Sequence, residues 1–339
     1  MQNILTIYQQ NIEKYLTEIN LPKYHAKQII EWIYKKNILD FDNMTNLPKN
    51  LKEQLKINFE INNIKIQKKQ ISTDGAIKYL FKLADNNFIE TVFIPSRDRY
   101  TICLSSQVGC KFNCAFCASG KSGFSRNLTT DEIILQILNI MHDQKLEKIN
   151  NIVFMGIGEP LDNMDNVLNA IKIINDKDKL NIGARKITIS TCGLAPQIKK
   201  LAGFDMQIEL AISLHSPLDK LRSELLPINK KYNIQTLIKT CKDYTKKTGR
   251  QITFAYIMLN NINDSNKYAE ELAKLLKGNL FKVNIINFNK TANQKYLPAK
   301  KETIKSFMEI LEKNKIPVTL RMPRGQDISA ACGQLKLEG

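Results

Sequence analysis

The first 60 residues carry apolar side chains at intervals of three and four positions. This spacing runs through residues 4–19 and 23–36, and Pro22 and Pro48 interrupt it. Apolar positions at such intervals share one face of a helix, and proline breaks a helix. Residues 1–60 are therefore predicted to form a small helical module.

Residues 61–100 change to a pattern with a period of two. The segments NNIKIQKKQI, AIKYLFKLA and NFIETVFIP alternate or are rich in β-branched and aromatic residues, and TDGA between the first two is a turn sequence. This pattern predicts three short antiparallel strands. They form a β extension that carries Glu90 and links the helical module to the rest of the chain.

From residue 101 onward, short apolar runs alternate with helical patterns, of which residues 129–142 open with the capping residues TTDE. Such alternation indicates βαβ units and a parallel sheet. The predicted fold class is α/β, with a partial (β/α)6 barrel over residues 101–322 and its chemistry at the C-terminal ends of the strands. A further short strand, IPVTLRM, leads into a tail, residues 323–339. The six runs are TICLSS, NIVFMG, KITIST, QIELAISL, QITFAYIML and KVNIINF.

The composition adds a strong basic excess. Lys and Arg number 50 against 33 Asp and Glu, a net charge of +17 spread along the chain. A polyanionic partner is the natural interpretation, and a solvated lysine-rich surface is the alternative. No apolar run is long enough to span a membrane, and the first residues lack the zones of a signal peptide. A cytoplasmic protein without a membrane partner is expected.

Three of the seven cysteines lie within eight residues, at Cys110, Cys114 and Cys117, with the spacing C-x3-C-x2-C. An odd count with tight clustering favours metal or redox chemistry over a disulfide framework. A structural zinc site or a four-cysteine cluster would need a fourth ligand nearby, which the sequence does not offer. Three thiolates on an iron–sulfur cubane would leave one iron open to a ligand. A structural metal or coincidence remains the alternative.

This motif, with Phe116 just before its last cysteine and placed after the first strand of a partial barrel, resembles the radical S-adenosylmethionine (SAM) superfamily. The resemblance implies a [4Fe-4S] cluster held by Cys110, Cys114 and Cys117. It also implies that the open iron chelates SAM, which one electron cleaves to methionine and a 5′-deoxyadenosyl radical. The predicted barrel would then be a radical SAM barrel.

Further strand ends match the SAM-binding positions of that superfamily. The turn FMGIGEPLDN offers glycines, which permit close backbone approach, and a carboxylate suited to a bound ammonium group. The resemblance implies SAM contacts from Gly158, Glu159, Ser190, Ser213, Leu214, His215 and Asn289.

A narrower resemblance comes from a combination of motifs. CLSSQVGC before the cluster, ETVFIP, GEP, SLHS and a terminal AACGQL together are similar to the RlmN family of adenine C2 methyltransferases. The resemblance implies that Cys332 carries an S-methyl group, that Glu90 removes the C2 proton, and that Cys103 releases the product through a transient disulfide with Cys332. From the residues alone, both cysteines could be packing residues and Glu90 an exposed strand residue.

The same resemblance implies substrates and partners. Adenine C2 is electron-poor, so it cannot attack a SAM methyl group directly, and a radical route is required. The resemblance implies that two SAM are used per turnover. The implied substrates are 23S ribosomal RNA, at adenosine 2503, and tRNA, at adenosine 37. The implied partners are an electron donor of the flavodoxin or ferredoxin type and a thiol reductant. Nothing in the sequence demands more than a monomer.

Two alternative functions stay open. A related branch methylates adenine C8, and tends to carry GEA where this chain has Pro160 in GEP. A protein of a different class, a non-enzymatic iron–sulfur protein that binds RNA or transfers electrons, would leave Glu90, Cys103 and Cys332 incidental.

Overall fold

The computed structural model describes residues 2–97, 99–289 and 296–335. Within them, no helix is long and apolar enough to cross a membrane. The helices are α1 (Gln9–Glu18), α2 (Tyr24–Tyr34), α3 (Lys49–Asn58), α4 (Thr130–Asp143), α5 (Met164–Asn175), α6 (Ala195–Leu201), α7 (Asp219–Leu225), α8 (Ile234–Thr248), α9 (Asn266–Leu276) and α10 (Lys301–Lys313). The strands are β1 (Gln2–Asn3), β2 (Phe59–Glu60), β3 (Lys65–Ile71), β4 (Ile77–Lys82), β5 (Phe88–Ser96), β6 (Arg99–Cys103), β7 (Gln107–Gly109), β8 (Phe124–Asn127), β9 (Asn151–Phe154), β10 (Ile187–Thr191), β11 (Glu209–Ser213), β12 (Ile252–Met258), β13 (Phe281–Asn287) and β14 (Val318–Arg321).

The N-terminal segment forms the predicted helical module, with α1 packed on α2 and β1 paired with β2. Its first helix begins at Gln9 rather than Ile4, because residues 4–6 form a separate turn that the Asn3 side chain caps. The module is joined to the barrel by a buried lysine, since Lys179 Nζ donates to the Ile7 carbonyl at 3.0 Å.

The central sheet has ten strands in the order β14-β13-β12-β11-β10-β9-β6-β5-β4-β3. The three strands predicted in residues 61–100 are confirmed as antiparallel. Pairing of β5 with β6 joins them to the parallel strands. The partial barrel is also confirmed. The further strand predicted at IPVTLRM is β14, which pairs in parallel with β13 and so extends the six predicted barrel strands.

The helices bury apolar faces to form the core. The predicted helix at 129–142 is α4, and its capping box is present: Thr129 accepts from the Glu132 main chain, while the Glu132 side chain accepts from Thr129. Such a cap satisfies donors that a helix N-terminus would otherwise leave unpaired. This helix starts directly after β8, so the cap fixes the chain next to the cysteine loop.

Candidate active site

A cavity of about 940 Å³ follows the inner face of the parallel strands. Alternate residues line it, such as Thr188 and Ser190 on β10 and Ala211 and Ser213 on β11, as expected where one face of each strand points inward. The predicted site residues in its lining are Cys110, Cys114, Cys117, Gly158, Glu159, Ser190, Ser213, His215 and Cys332.

The cysteine loop is held at both ends by a short hairpin that the sequence pattern did not reveal. Strand β7 pairs with β8, and between them lie residues 110–123. Gly109 has φ = 76°, and a Cβ there would lie 2.0 Å from the Gly123 carbonyl oxygen. Only glycine permits this close approach of the two strands. The loop also donates from the Ala115 main chain to Leu225, at the end of α7.

The electrostatics of Cys110 and Cys114 bear on whether the loop can hold an iron–sulfur cluster. Burial raises the pKa of Cys110 to about 12 and that of Cys114 well above its usual range, and the neighbouring cysteines raise both further. Thiolates at these half-buried positions are therefore favoured over thiols only with a bound cation. Among the described residues no three His, Cys, Asp or Glu lie close enough together for a single metal ion. An iron–sulfur cubane does not need its ligands so close together, because each thiolate binds a different iron atom.

Two buried side chains, those of Gln107 and Glu159, hold the GEP turn in place. Gly158 has φ = 104°, and a Cβ there would lie 2.6 Å from Gln107 Cβ. The Glu159 carboxylate accepts from the main chains of Leu161 at 3.1 Å and Cys192 at 2.7 Å. Burial raises the pKa of Glu159 despite these hydrogen bonds. The carboxylate therefore fixes the turn to the end of β10 as well as lining the cavity.

His215 lies on the wall of the cavity as a neutral imidazole. Its Nδ1 accepts from the Ile257 main chain at 3.1 Å, so the ring proton is on Nε2. Burial, aided by the charge of Arg222, lowers the pKa of His215 to about 3. The ring contacts Phe116 of the cysteine loop edge to face, with centroids 4.6 Å apart.

Arg222 is a fully buried cation that the sequence pattern did not reveal. It donates to the carbonyls of Cys192 and Ser213, at the ends of β10 and β11, and to Asn229. Burial lowers its pKa to about 10. The guanidinium therefore ties together two strand ends that carry predicted SAM-binding residues.

Two predicted SAM-binding residues lie outside the lining of this cavity. The Leu214 side chain is in the hydrophobic core, which leaves only its main chain at the strand end. Asn289 is buried against the tail, where it donates to the Cys332 carbonyl at 3.3 Å and accepts from Gln326 at 2.6 Å.

A second cavity of about 180 Å³ adjoins the first. Its lining includes Cys103 and Cys332, both free thiols, and Arg321. Burial, followed by the charge of Cys332, raises the pKa of Cys103 to about 12, whereas Arg321 opposes this rise. Cys332 and Arg321 line both cavities, so Cys332 lies between the cysteine cluster and Cys103.

Glu90 is buried on β5 and projects to the same face of the sheet as Cys103. Val92, two residues further, lies opposite Cys103 on β6, and side chains two apart on a strand share a face. Ala330 and Leu335 of the tail pack on this face with Val92 and Cys103. Glu90 is therefore under the tail, rather than exposed as the alternative interpretation would require.

Four residues of the site escaped the sequence analysis: Gln107, Arg222, Arg321 and Lys78. Gln107 links the GEP turn to the cysteine hairpin by accepting from the Glu159 main chain and donating to Asn127. Arginine is scarce in this lysine-rich chain, and that scarcity was the one available signal for Arg222 and Arg321. Lys78 is conspicuous as a charged residue in an apolar strand. The sequence cannot identify its partner, because that depends on how β4 pairs with β5.

Comparison with protein families supports the fold and the cysteine site. The profile of the Radical SAM superfamily matches residues 104–276, and that of the ribosomal RNA large subunit methyltransferase N-terminal domain matches residues 2–61. A crystal structure of a radical SAM methyltransferase from Sphaerobacter thermophilus superposes with a TM-score of 0.93 at 40% identity, over 98% of this chain and 99% of the other. Fold and site therefore define a radical SAM protein.

Similarity to individual proteins is closer still. The chain is 45% identical to the probable dual-specificity RNA methyltransferase RlmN of Clostridium novyi, over 99% of this chain and 98% of the relative. It is 44% identical to the dual-specificity RNA methyltransferase RlmN of Campylobacter fetus, over the same shares. The chain belongs to the RlmN family of radical SAM RNA methyltransferases. A [4Fe-4S] cluster and SAM are the cofactors of such an enzyme, and the cysteine loop fits the cluster.

Proposed function

We propose that the protein forms 2-methyladenosine in 23S ribosomal RNA and in tRNA, through an S-methyl group on Cys332. When bound, the cluster at Cys110, Cys114 and Cys117 and the SAM molecule supply a 5′-deoxyadenosyl radical. The observation that carries the proposal is the position of Cys332, which lines both the cluster cavity and the small cavity of Cys103.

Each thiol has a separate role. The Cys332 sulfur first accepts a methyl group from one SAM, and later loses a hydrogen atom from that methyl group to the radical formed from a second SAM. The resulting methylene radical adds to adenine C2 and tethers the RNA to Cys332. Glu90 then takes the C2 proton and the unpaired electron of the adduct passes to the cluster, which would act as its acceptor, so the ring becomes aromatic again. Cys103 attacks the Cys332 sulfur and breaks its bond to the transferred carbon, which takes up a solvent proton to become the methyl group and leaves a Cys103–Cys332 disulfide. An external thiol reductant restores both thiols.

The cavity residues bind and orient SAM. Gly158 allows close approach of the ligand, and Ser190, Ser213 and His215 present hydroxyl and imidazole groups to the same space. With Nδ1 occupied by a main-chain donor, His215 offers an Nε2–H group. Glu159 is suited to the SAM ammonium group, and Leu214 and Asn289 contribute at the strand ends.

The basic surface is suited to RNA. The net charge is +17, and the edge strand β3 presents exposed Lys65 and Lys68. Lysine contacts with phosphate give affinity without sequence readout. Because Cys332 lines a cavity inside the barrel, the target adenine must leave its stack to reach it. The helical module is the accessory RNA-binding element of this arrangement, and the enzyme acts as a cytoplasmic monomer reduced by a flavodoxin- or ferredoxin-type donor.

Reconstitution tests this function. The purified protein is loaded anaerobically with iron and sulfide and incubated with SAM, reductant and either 23S rRNA or tRNA, and the RNA is digested for mass spectrometry. We expect 2-methyladenosine from both RNAs with the wild type and none with Cys332→Ala. Methylation at C8 would assign the enzyme to the other branch. SAM cleavage without methylated adenosine would contradict the proposed substrate.

A further inference from the structure

Lys78 is a buried cation for which the proposed mechanism has no role. Its Nζ lies 3.0 Å from Glu90 Oε1 and 3.4 Å from the Ser329 carbonyl oxygen. Lys78 is 4% exposed and Glu90 is 2% exposed. One buried ammonium group therefore contacts both the carboxylate beneath the tail and the tail itself, three residues before Cys332.

Strand register explains how these groups meet. Lys78 on β4 lies opposite Val92 on β5, and Val92 lies opposite Cys103 on β6. Residues opposite each other in an antiparallel pair project to the same face, as do residues two apart on one strand. Lys78, Glu90 and Cys103 therefore share a single face of the sheet.

The contact of Lys78 with Glu90 matters because burial removes the water that would otherwise stabilise a carboxylate. A buried charge without a partner is strongly unfavourable, and a hydrogen-bonded ammonium group compensates it and restricts its orientation. The contact with Ser329 adds a second constraint, because it fixes the tail relative to the same ammonium group. The distance between the base and the methyl carrier is thereby set through one side chain.

We propose that Lys78 is a positioning residue for the proton-removal step. It holds the Glu90 carboxylate toward adenine C2 and fixes the position of the tail through the Ser329 carbonyl. This inference rests on the proposed function. In that step the C2–H bond breaks, the proton passes to a Glu90 oxygen and the bonding electron pair stays in the purine ring. The unpaired electron left by radical addition passes to the cluster, which would act as its acceptor. Lys78 takes no part in the proton transfer itself.

The test uses the full-length, cluster-loaded protein with SAM, reductant and tRNA. Three quantities are measured in Lys78→Met: 5′-deoxyadenosine formed, protein covalently attached to RNA, and methylated adenosine. The RNA adduct forms before the proton leaves, so we expect near-normal 5′-deoxyadenosine, roughly tenfold or more adduct than in the wild type, and roughly tenfold or more loss of product. Lys78→Arg keeps the charge but alters its geometry, so it should accumulate adduct at a level between those of the wild type and Lys78→Met.

Two control variants are needed to interpret the result. Lys82→Met removes a half-buried lysine from the same strand and should leave all three quantities unchanged. Cys103→Ala removes the thiol that would release the RNA from Cys332, so it should also accumulate the covalent RNA adduct. Absence of adduct in Cys103→Ala would contradict the proposed function itself. Adduct in Cys103→Ala together with wild-type adduct levels in Lys78→Met would overturn only the role of Lys78.

A purely structural role for Lys78 gives a different result. It would lower 5′-deoxyadenosine, adduct and product together, and that pattern would overturn the proposal. If Lys78→Met does not fold, Lys78→Arg decides the question, because its guanidinium reaches the same two partners with altered geometry. Wild-type adduct levels and product yield in Lys78→Arg would then contradict the positioning role.

Discussion

The strand-end rim and the C-terminal tail contribute to the same site but are held by different kinds of contact. The rim consists of the cysteine loop and the ends of β9, β10 and β11. The parallel sheet fixes the strand ends through main-chain hydrogen bonds, to which Glu159 and Arg222 add side-chain links, and the β7–β8 hairpin holds the cysteine loop. The tail, residues 325–335, is held mainly by side chains. Asp74 accepts from the Gly325 main chain, Asp327 accepts from Ser72 and Thr73, and Ser119 donates to the Leu335 carbonyl.

This difference corresponds to different tasks. The rim must keep the cluster and SAM in one place, since radical generation tolerates little displacement. In the proposed mechanism the tail carries Cys332, whose sulfur meets SAM, the adenine and Cys103 in turn. Separate side-chain contacts can be exchanged one at a time, whereas a strand cannot shift without disrupting the ladder of its neighbours. On the proposed mechanism, the segment that would move is the one attached by individual side chains.

The largest expected effect comes from removing a cysteine from one region or the other. Cys114→Ala should abolish both SAM cleavage and RNA methylation, because a cluster with two protein ligands is not retained. Cys332→Ala should reduce methylation to background while the cluster and reductive SAM cleavage remain. The measurements are the iron content, 5′-deoxyadenosine and methylated adenosine. Loss of the cluster in Cys332→Ala would mean that the two regions are not independent.

On acidification, the rim should lose stability at a higher pH than the tail contacts do. His215 stays neutral in the folded protein down to about pH 3, whereas the unfolded chain takes up the proton near pH 6.5, so acidification favours unfolding between these values. From pH 7 to pH 4 this amounts to about 3 kcal/mol. Hydrogen bonds from Ser72 and Thr73 lower the pKa of Asp327, so the tail contact persists through this range.

The measurement is the free energy of unfolding of the wild type and of His215→Gln, each at pH 7 and pH 4. The raised pKa of Glu159 has the opposite effect on stability, and the difference between the two proteins removes it because both contain Glu159. An equal loss of stability in both proteins on acidification would refute the assignment to His215.

A smaller effect is expected when the tail is loosened rather than removed. Asp327→Asn weakens the contacts with Ser72 and Thr73, so Cys332 should be misplaced in a fraction of turnovers. SAM cleavage should remain normal while the ratio of 5′-deoxyadenosine to methylated adenosine rises severalfold. The exposed Asp205, after α6, provides a matched control as Asp205→Asn. A drop in cluster content in Asp327→Asn would contradict the separation of rim and tail.

The rim was far more predictable from the sequence than the tail face. Cys110, Cys114 and Cys117 are adjacent in sequence, and Gly158, Ser190 and Ser213 follow predictable strands. Their convergence is a consequence of parallel strand topology, which the alternating pattern indicates. The hairpin of β7 and β8 was missed because its strands are three and four residues long and carry no clear alternation.

The face that carries Cys103 and Glu90 depends on register, which residue patterns do not specify. Lys78 reaches Glu90 only because β4 pairs with β5 as it does. Arg321 reaches the two thiols only because β14 joins the parallel sheet, beyond the six predicted units. Roles for Cys103 and Cys332 came from the family resemblance, since residues so far apart in the chain carry no local signal of contact.

The central claim is that the transferred carbon passes through the Cys332 sulfur and loses one hydrogen there. SAM with a fully deuterated methyl group tests it directly. Enzyme that has first been freed of bound methyl groups is incubated with this SAM and tRNA, and both products are analysed by mass spectrometry. The account predicts 2-methyladenosine with two deuterium atoms in its methyl group, and 5′-deoxyadenosine with one. A methyl group that retains all its deuterium, beside unlabelled 5′-deoxyadenosine, would contradict it.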